Sequence, residues 1–110
     1  MSAITTHVLD TSRGLPAVGV PVVLEAQSAN GTWKRLGFGA TNADGRVGSL
    51  LADDAVLTEG IYRLLFDTRA YNPDGLYPEV TVTFQVRDAG RHYHIPLLLS
   101  PYGYTTYRGS

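Results

Sequence analysis

Turn-forming residues interrupt this chain at roughly the 8–12-residue spacing of all-β sandwiches, and the runs between them read as strands. AITTHVL (3–9) is rich in β-branched residues and is broken by RGLPA. VPVVLEAQ (20–27) stops at SANG, and TWKRLGFGAT (32–41) stops at NADG. NADG is a strong turn signal, because Asp and Gly tolerate positive φ. RVGSLL (46–51), GIYRLLFDT (60–68), EVTVTFQV (79–86), RHYHIPLLL (91–99) and YGYTTYR (102–108) complete a set of eight. One segment departs from the pattern. DTRAYNPDGLYP (67–78) has room for a helical turn or two before Pro73, which ends any helix there. The expectation is an all-β, two-sheet sandwich of about eight strands with at most one short helix, a single domain over residues 1–110.

Charge and composition narrow the function. The formal net charge is -1, from 9 basic and 10 acidic residues with no run of one sign. That argues against a nucleic-acid partner or a polybasic membrane patch. Nowhere do about 18 apolar residues run together, so no membrane-spanning helix is expected. The chain has no cysteine, which removes disulfides, thiolate metal sites and cysteine nucleophiles. MSAITTHVLD lacks the basic and apolar regions of a secretory signal, so the expected location is cytoplasmic. A chain of 110 residues buries roughly two thirds of its unfolded surface. Further burial in an oligomer would suit it.

Side chains two apart on a strand share a face, and this sorts the polar residues. In the first strand Thr5, His7 and Leu9 oppose Ile4, Thr6 and Val8. In the seventh, Tyr93, Ile95, Leu97 and Leu99 form a core stripe, which leaves His92, His94, Pro96 and Leu98 outward. Two imidazoles, a proline and a leucine are odd company for solvent. Pro96 has no N–H to give a ladder and therefore needs an edge, a bulge or an unpaired position. In the last strand Arg108 and Ser110 must oppose Tyr107, or the backbone must turn at Gly109. His7, His92 and His94 admit three readings at this point. They are unrelated surface histidines, a three-histidine zinc site imitated by the H-x-H spacing, or an acid–base pair with a neighbouring arginine.

HVLDTSRGLPA (7–17) and YHIPLLLSPYGYTTYRGS (93–110) resemble the two signatures of the transthyretin-related proteins, and more narrowly of the 5-hydroxyisourate hydrolases. GIYRLLFDT and YPEVTVTFQV extend the likeness over nearly the whole chain. The terminal Tyr107-Arg108-Gly109-Ser110 is of the hydrolase type, as are His7, Arg46 and His94. Transthyretins resemble this chain in SPYGYTT but carry lysine, glutamate and threonine at the places matching those three. Residues 67–78 look shorter than usual for the family, so its helix is expected to be shrunken or lost. His92 matches no motif residue and is left outside the site as a structural or rim residue.

The resemblance implies a prealbumin-like sandwich and a homotetramer, a dimer of dimers around a central channel. His7, Leu9, His94, Pro96, Leu98, Thr105 and Tyr107 would line that channel. It also implies hydrolysis of 5-hydroxyisourate in urate degradation, opening a cyclic amide. His7 and His94 would jointly orient or deprotonate water, since a neutral imidazole accepts a proton near neutral pH. Arg46 would stabilise the oxyanion. Tyr107 would pack on the planar ring, and Ser110 with the terminal carboxylate would bond substrate or a histidine. Arg108 would bind substrate or neutralise that carboxylate. An extension beyond Ser110 is expected to impair turnover without unfolding the sandwich. The scheme needs no metal and no cofactor. Two alternatives stand beside it: a transthyretin-like carrier of small molecules in the same channel, and a structural β-sandwich module.

Overall fold

The computed structural model describes residues 3–52 and 54–110. Nine strands and one helical turn follow in chain order among them. They are β1 (Ile4–Asp10), β2 (Leu15–Pro16), β3 (Pro21–Gln27), β4 (Trp33–Ala40), β5 (Arg46–Val47), β6 (Gly60–Phe66), α1 (Thr68–Tyr71), β7 (Val80–Val86), β8 (Tyr93–Ser100) and β9 (Gly103–Thr106). One sheet runs β4-β3-β6-β7; the other runs β2-β1-β8-β9, with β5 also paired to β1. β1 and β8 are parallel, and every other pairing is antiparallel.

The inner faces follow the alternation of the sequence. Ile4, Val8, Leu97 and Leu99 meet Val22, Leu24, Leu64 and Phe66 in a single apolar cluster. Burying a side chain of this size contributes about 1.5–3 kcal/mol, so the cluster dominates the stability of the sandwich. The helical turn is short for local reasons. Asp67 caps it by accepting from Ala70 N, and Asn72, held before Pro73, is extended (φ -135°). Of the turn or two for which residues 67–78 leave room, one is present, so the family helix is shrunken rather than lost.

Three details differ from the sequence expectation. β2 is additional, a two-residue strand that the turn signal at Gly14 and Pro16 hides. β5 is shorter than RVGSLL because β1 divides its edge: Thr6 and His7 pair with β5, Leu9 and Asp10 with β2. Between them Val8 bonds both ways, its N–H to Gly45 O and its carbonyl to Ala17 N. β9 ends at Thr106 rather than continuing to Arg108, and Pro96 is the cause. Gly109 N–H donates to His94 O at 2.8 Å, so alternate residues of β8 beginning at His94 address β9. Pro96 is one of these and has no hydrogen to give. Its carbonyl takes the Thr106 hydroxyl instead, at 2.7 Å. The ladder stops there and is rejoined by the single bridge His94–Gly109.

Candidate active site

The register of the β1 sheet sets out the site in two adjacent rows on its outer face. Arg46 pairs with His7, and His7 with Pro96. One row along, Thr5 pairs with His94, and His94 with Gly109. His7 and His94 are therefore diagonal neighbours, with ring centroids 6.5 Å apart.

The turn before β5 aims Arg46. Asn42 Oδ1 accepts from the N–H groups of Asp44 and Arg46. Gly45 has φ 77°, and a Cβ there would lie 2.4 Å from Val8 O. Only glycine gives both the left-handed backbone and that close approach. The NADG turn is thus a bracket that fixes Arg46 beside His7.

His94 is held from two sides. Thr5 Oγ1 lies 2.8 Å from its Nδ1, while Gly109 packs against its ring so closely that a Cβ would stand 2.5 Å from Cδ2. Burial, then the positive charges of Arg46, His7 and His92, hold its pKa below the ordinary imidazole value. The His94 imidazole is consequently neutral at neutral pH, with Nδ1 engaged by Thr5 and Nε2 free of that bond.

An open cleft runs over these residues, lined by Thr5, Arg46, Gly48, His92, His94 and Ser110 among others. The structure brings Arg46, His94 and Ser110 together there, with His7 alongside. It seats the other two tail residues differently. Arg108 turns to the opposite face, its guanidinium 4.4 Å from the centre of the Tyr93 ring and within 3.4 Å of His92 O. Tyr107 is 53% exposed and lies outside the cleft wall of a single chain. The backbone beyond Gly109 carries Ser110 back to the histidine side.

Two cleft residues stand outside the sequence-derived site: Thr5, given no role there, and His92, set aside as a structural or rim residue. His92 lines the cleft, and its Nε2 lies 2.9 Å from Thr5 Oγ1, the same hydroxyl that meets His94. Thr5 shares the His7 face in the sequence pattern, but its contact with His94 depends on the parallel register, which alternation does not give. The hydroxyl stands between the two rings of the H-x-H pair. Among the described residues no three His, Cys, Asp or Glu side chains are arranged to hold a metal ion.

Two stacked sheets with a histidine–arginine cleft on one outer face define a β-sandwich protein with a polar, strand-built site suited to proton transfer. The chain belongs to the HIUase/Transthyretin family, whose family model matches residues 4–109. It is 45% identical over 111 residues to a 5-hydroxyisourate hydrolase of Salmonella typhimurium, covering 97% of this chain and 80% of that protein. It is also 45% identical over 119 residues to the uric acid degradation bifunctional protein TTL of Arabidopsis thaliana. That match covers 97% of this chain but only 37% of the plant protein's length. Among solved structures, Klebsiella pneumoniae 5-hydroxyisourate hydrolase superposes with TM-score 0.85 at 35% identity, covering both chains fully (100%). Sea bream transthyretin in complex with thyroxine superposes with TM-score 0.90 at 31% identity, covering 98% of this chain and 95% of that one.

Proposed function

We propose that this chain hydrolyses 5-hydroxyisourate to 2-oxo-4-hydroxy-4-carboxy-5-ureidoimidazoline, and that it does so as a homotetramer. The observation that carries the reading is the convergence of Arg46, His7 and His94 on two adjacent rows of one sheet face. Backbone likeness does not separate a hydrolase from a carrier, since both kinds of structure superpose well. The chemistry of the cleft does, supported by the 45% identity to a protein bearing the hydrolase name.

Hydrolysis of a cyclic amide needs an activated water, a stabilised oxyanion and a proton for the leaving nitrogen. His94, neutral and with Nε2 free of the Thr5 bond, takes the proton from water. His7 orients that water from the neighbouring position. Arg46 faces the carbonyl oxygen as it becomes an oxyanion, where a preorganised cation acts most strongly. Ser110, on the far wall, hydrogen-bonds the substrate ring. Tyr107 is assigned to the same channel through a facing subunit. Arg108, drawn onto Tyr93, acts by anchoring the tail that carries Gly109 and Ser110.

The test is direct. 5-Hydroxyisourate is generated with urate oxidase and its absorbance decay followed with and without the protein. Decay is expected to accelerate in proportion to enzyme, and His7→Ala, Arg46→Ala and His94→Ala each to lose roughly 10²-fold or more. Decay no faster than in buffer refutes the assignment. Submicromolar binding of iodinated aromatics without turnover would establish a carrier instead.

A further inference from the structure

We propose that His92 and Thr5 are positioning residues that set the tautomer of His94 and return it, in each cycle, from base to acid through a three-member proton relay. This rests on the hydrolytic role proposed for His94. The geometry is a chain of two hydrogen bonds meeting at one hydroxyl, His94 Nδ1 to Thr5 Oγ1 at 2.8 Å and Thr5 Oγ1 to His92 Nε2 at 2.9 Å. A threonine hydroxyl has one hydrogen and can give it to only one ring.

A base at Nε2 of His94 requires the ring hydrogen on Nδ1. That hydrogen is donated to Thr5 Oγ1, which leaves the threonine hydrogen for His92 Nε2. His94 Nδ1, Thr5 Oγ1 and His92 Nε2 each have a partner in this arrangement, with His92 carrying its own ring hydrogen on Nδ1. The opposite arrangement is equally complete: His92 Nε2–H donates to Thr5, and Thr5 donates to His94 Nδ1. In it His94 bears its hydrogen on Nε2 and is an acid.

Conversion of one into the other balances. As water attacks the carbonyl, a proton passes from water to His94 Nε2. His94 Nδ1 passes its proton to Thr5 Oγ1, and Thr5 passes its own to His92 Nε2. His94 ends neutral with the proton on Nε2, and His92 ends as the imidazolium. His94 then donates from Nε2 to the leaving nitrogen as the C–N bond breaks, and the two relay protons step back. The net transfer is one proton from water to nitrogen, with no change in the protein.

The surroundings favour this route over a long-lived imidazolium at His94. His94 is partly buried, whereas His92 is exposed. Burial and the charges of Arg46 on β5, His7 on β1 and His92 ahead of β8 disfavour the protonated form of His94. The relay moves the charge from the partly enclosed ring to the exposed one. Arg108 donates to His92 O near the relay's outer end, and it is engaged with the Tyr93 ring.

Three variants of the intact protein test the relay. Thr5→Val keeps the β-branched shape and removes the hydroxyl; kcat is expected to fall 10- to 100-fold with KM within about threefold. Thr5→Ser restores the hydroxyl and should recover kcat to within about threefold of wild type. His92→Ala is expected to lose 3- to 10-fold in kcat, because solvent replaces the exposed ring imperfectly. Nitrogen-15 NMR of the ring nitrogens gives a readout independent of turnover. Above its pKa, wild-type His94 should carry its hydrogen on Nδ1, and Thr5→Val should move it to Nε2. An unchanged tautomer in Thr5→Val, or unchanged kcat in that variant, overturns the relay. A wild-type protein that shows the Nδ1 tautomer but no turnover refutes the hydrolase assignment while leaving the hydrogen-bond chain standing.

Discussion

His94 combines an anchored Nδ1, a glycine against its ring and three cationic or ionisable neighbours, and these together fix how it must respond to pH. Burial and the charges of Arg46, His7 and His92 lower its pKa from the usual 6.5, so the folded protein holds this proton less tightly than the unfolded chain does. The sign of the linkage follows. The stability associated with His94 is fully present above about pH 6.5 and is lost as pH falls through the depressed folded value. Activity should share that limb, because a protonated Nε2 cannot accept from water. We expect the acid limb of kcat/KM, and the NMR titration of His94, to lie below 6.5. Arg46→Gln should move the His94 titration upward by removing one of the opposing charges. A titration at or above 6.5 in the wild-type protein would contradict the neutral-base role. Asp10 illustrates the converse at the other end of β1. Burial pushes its pKa up, but hydrogen bonds from Tyr71, Ser12 and Arg13 outweigh burial and keep it below the ordinary carboxylate value. Its task is to tie the β1–β2 turn to α1 through the Tyr71 hydroxyl at 2.7 Å.

Among the elements, the interrupted pairing of β8 with β9 matters most to the site. Pro96 stops the ladder, the chain bulges past it at Tyr107 and Arg108, and Gly109 returns to His94. A methyl at Gly109 would stand 2.5 Å from His94 Cδ2 and 3.4 Å from Pro96 Cγ. Either the imidazole or the tail must yield, and the imidazole is restrained by Thr5. Gly109→Ala is therefore expected to reduce kcat/KM by at least tenfold while the Tm falls by only a few degrees. Matched kinetics and thermal melts check this, and a variant as active as wild type would show that the tail is free to move. This also shows how far the elements were legible from sequence. Alternation alone separated the core stripe Tyr93–Leu99 from the His94 face, and Pro96 announced an unpaired position. What alternation could not supply was which strand lies beside which. The Thr5–His94 and Arg46–His7 pairs came only through the family resemblance or not at all. β2 is hidden because a two-residue strand has no period to read, and RVGSLL reads longer than β5 for the same reason. The Thr5 partner of His92 is not legible in the pattern because it belongs to β1, 87 residues away in sequence.

At the scale of the whole molecule, the proposed tetramer makes the isolated chain only part of the site. It exposes 6432 Å², somewhat more than the roughly 5,900 Å² expected of a monomer of its mass. Tyr102, Tyr104 and Tyr107 are exposed around β9, whose outer edge has no partner strand among the described residues. Unpaired edges of this kind invite pairing with another chain. The third row of the site face, Leu9, Leu98 and Thr105, places two partly buried leucines directly beside the His7–Pro96 row. A cleft that activates water for one substrate gains from excluding bulk water, and apolar residues next to the catalytic row are suited to hold a covering subunit. In the proposed tetramer that cover is a second copy of this same face. Light scattering should therefore give a mass near four times the 11.9 kDa chain. Leu98→Glu puts a charge at the centre of the contact without touching the inner core, so the sandwich should survive and the assembly should fall to dimers. Turnover is expected to drop at least tenfold with it. A variant that is dimeric yet fully active would show that one chain's cleft works uncovered, and a wild-type monomer would remove the tetramer from the proposal altogether.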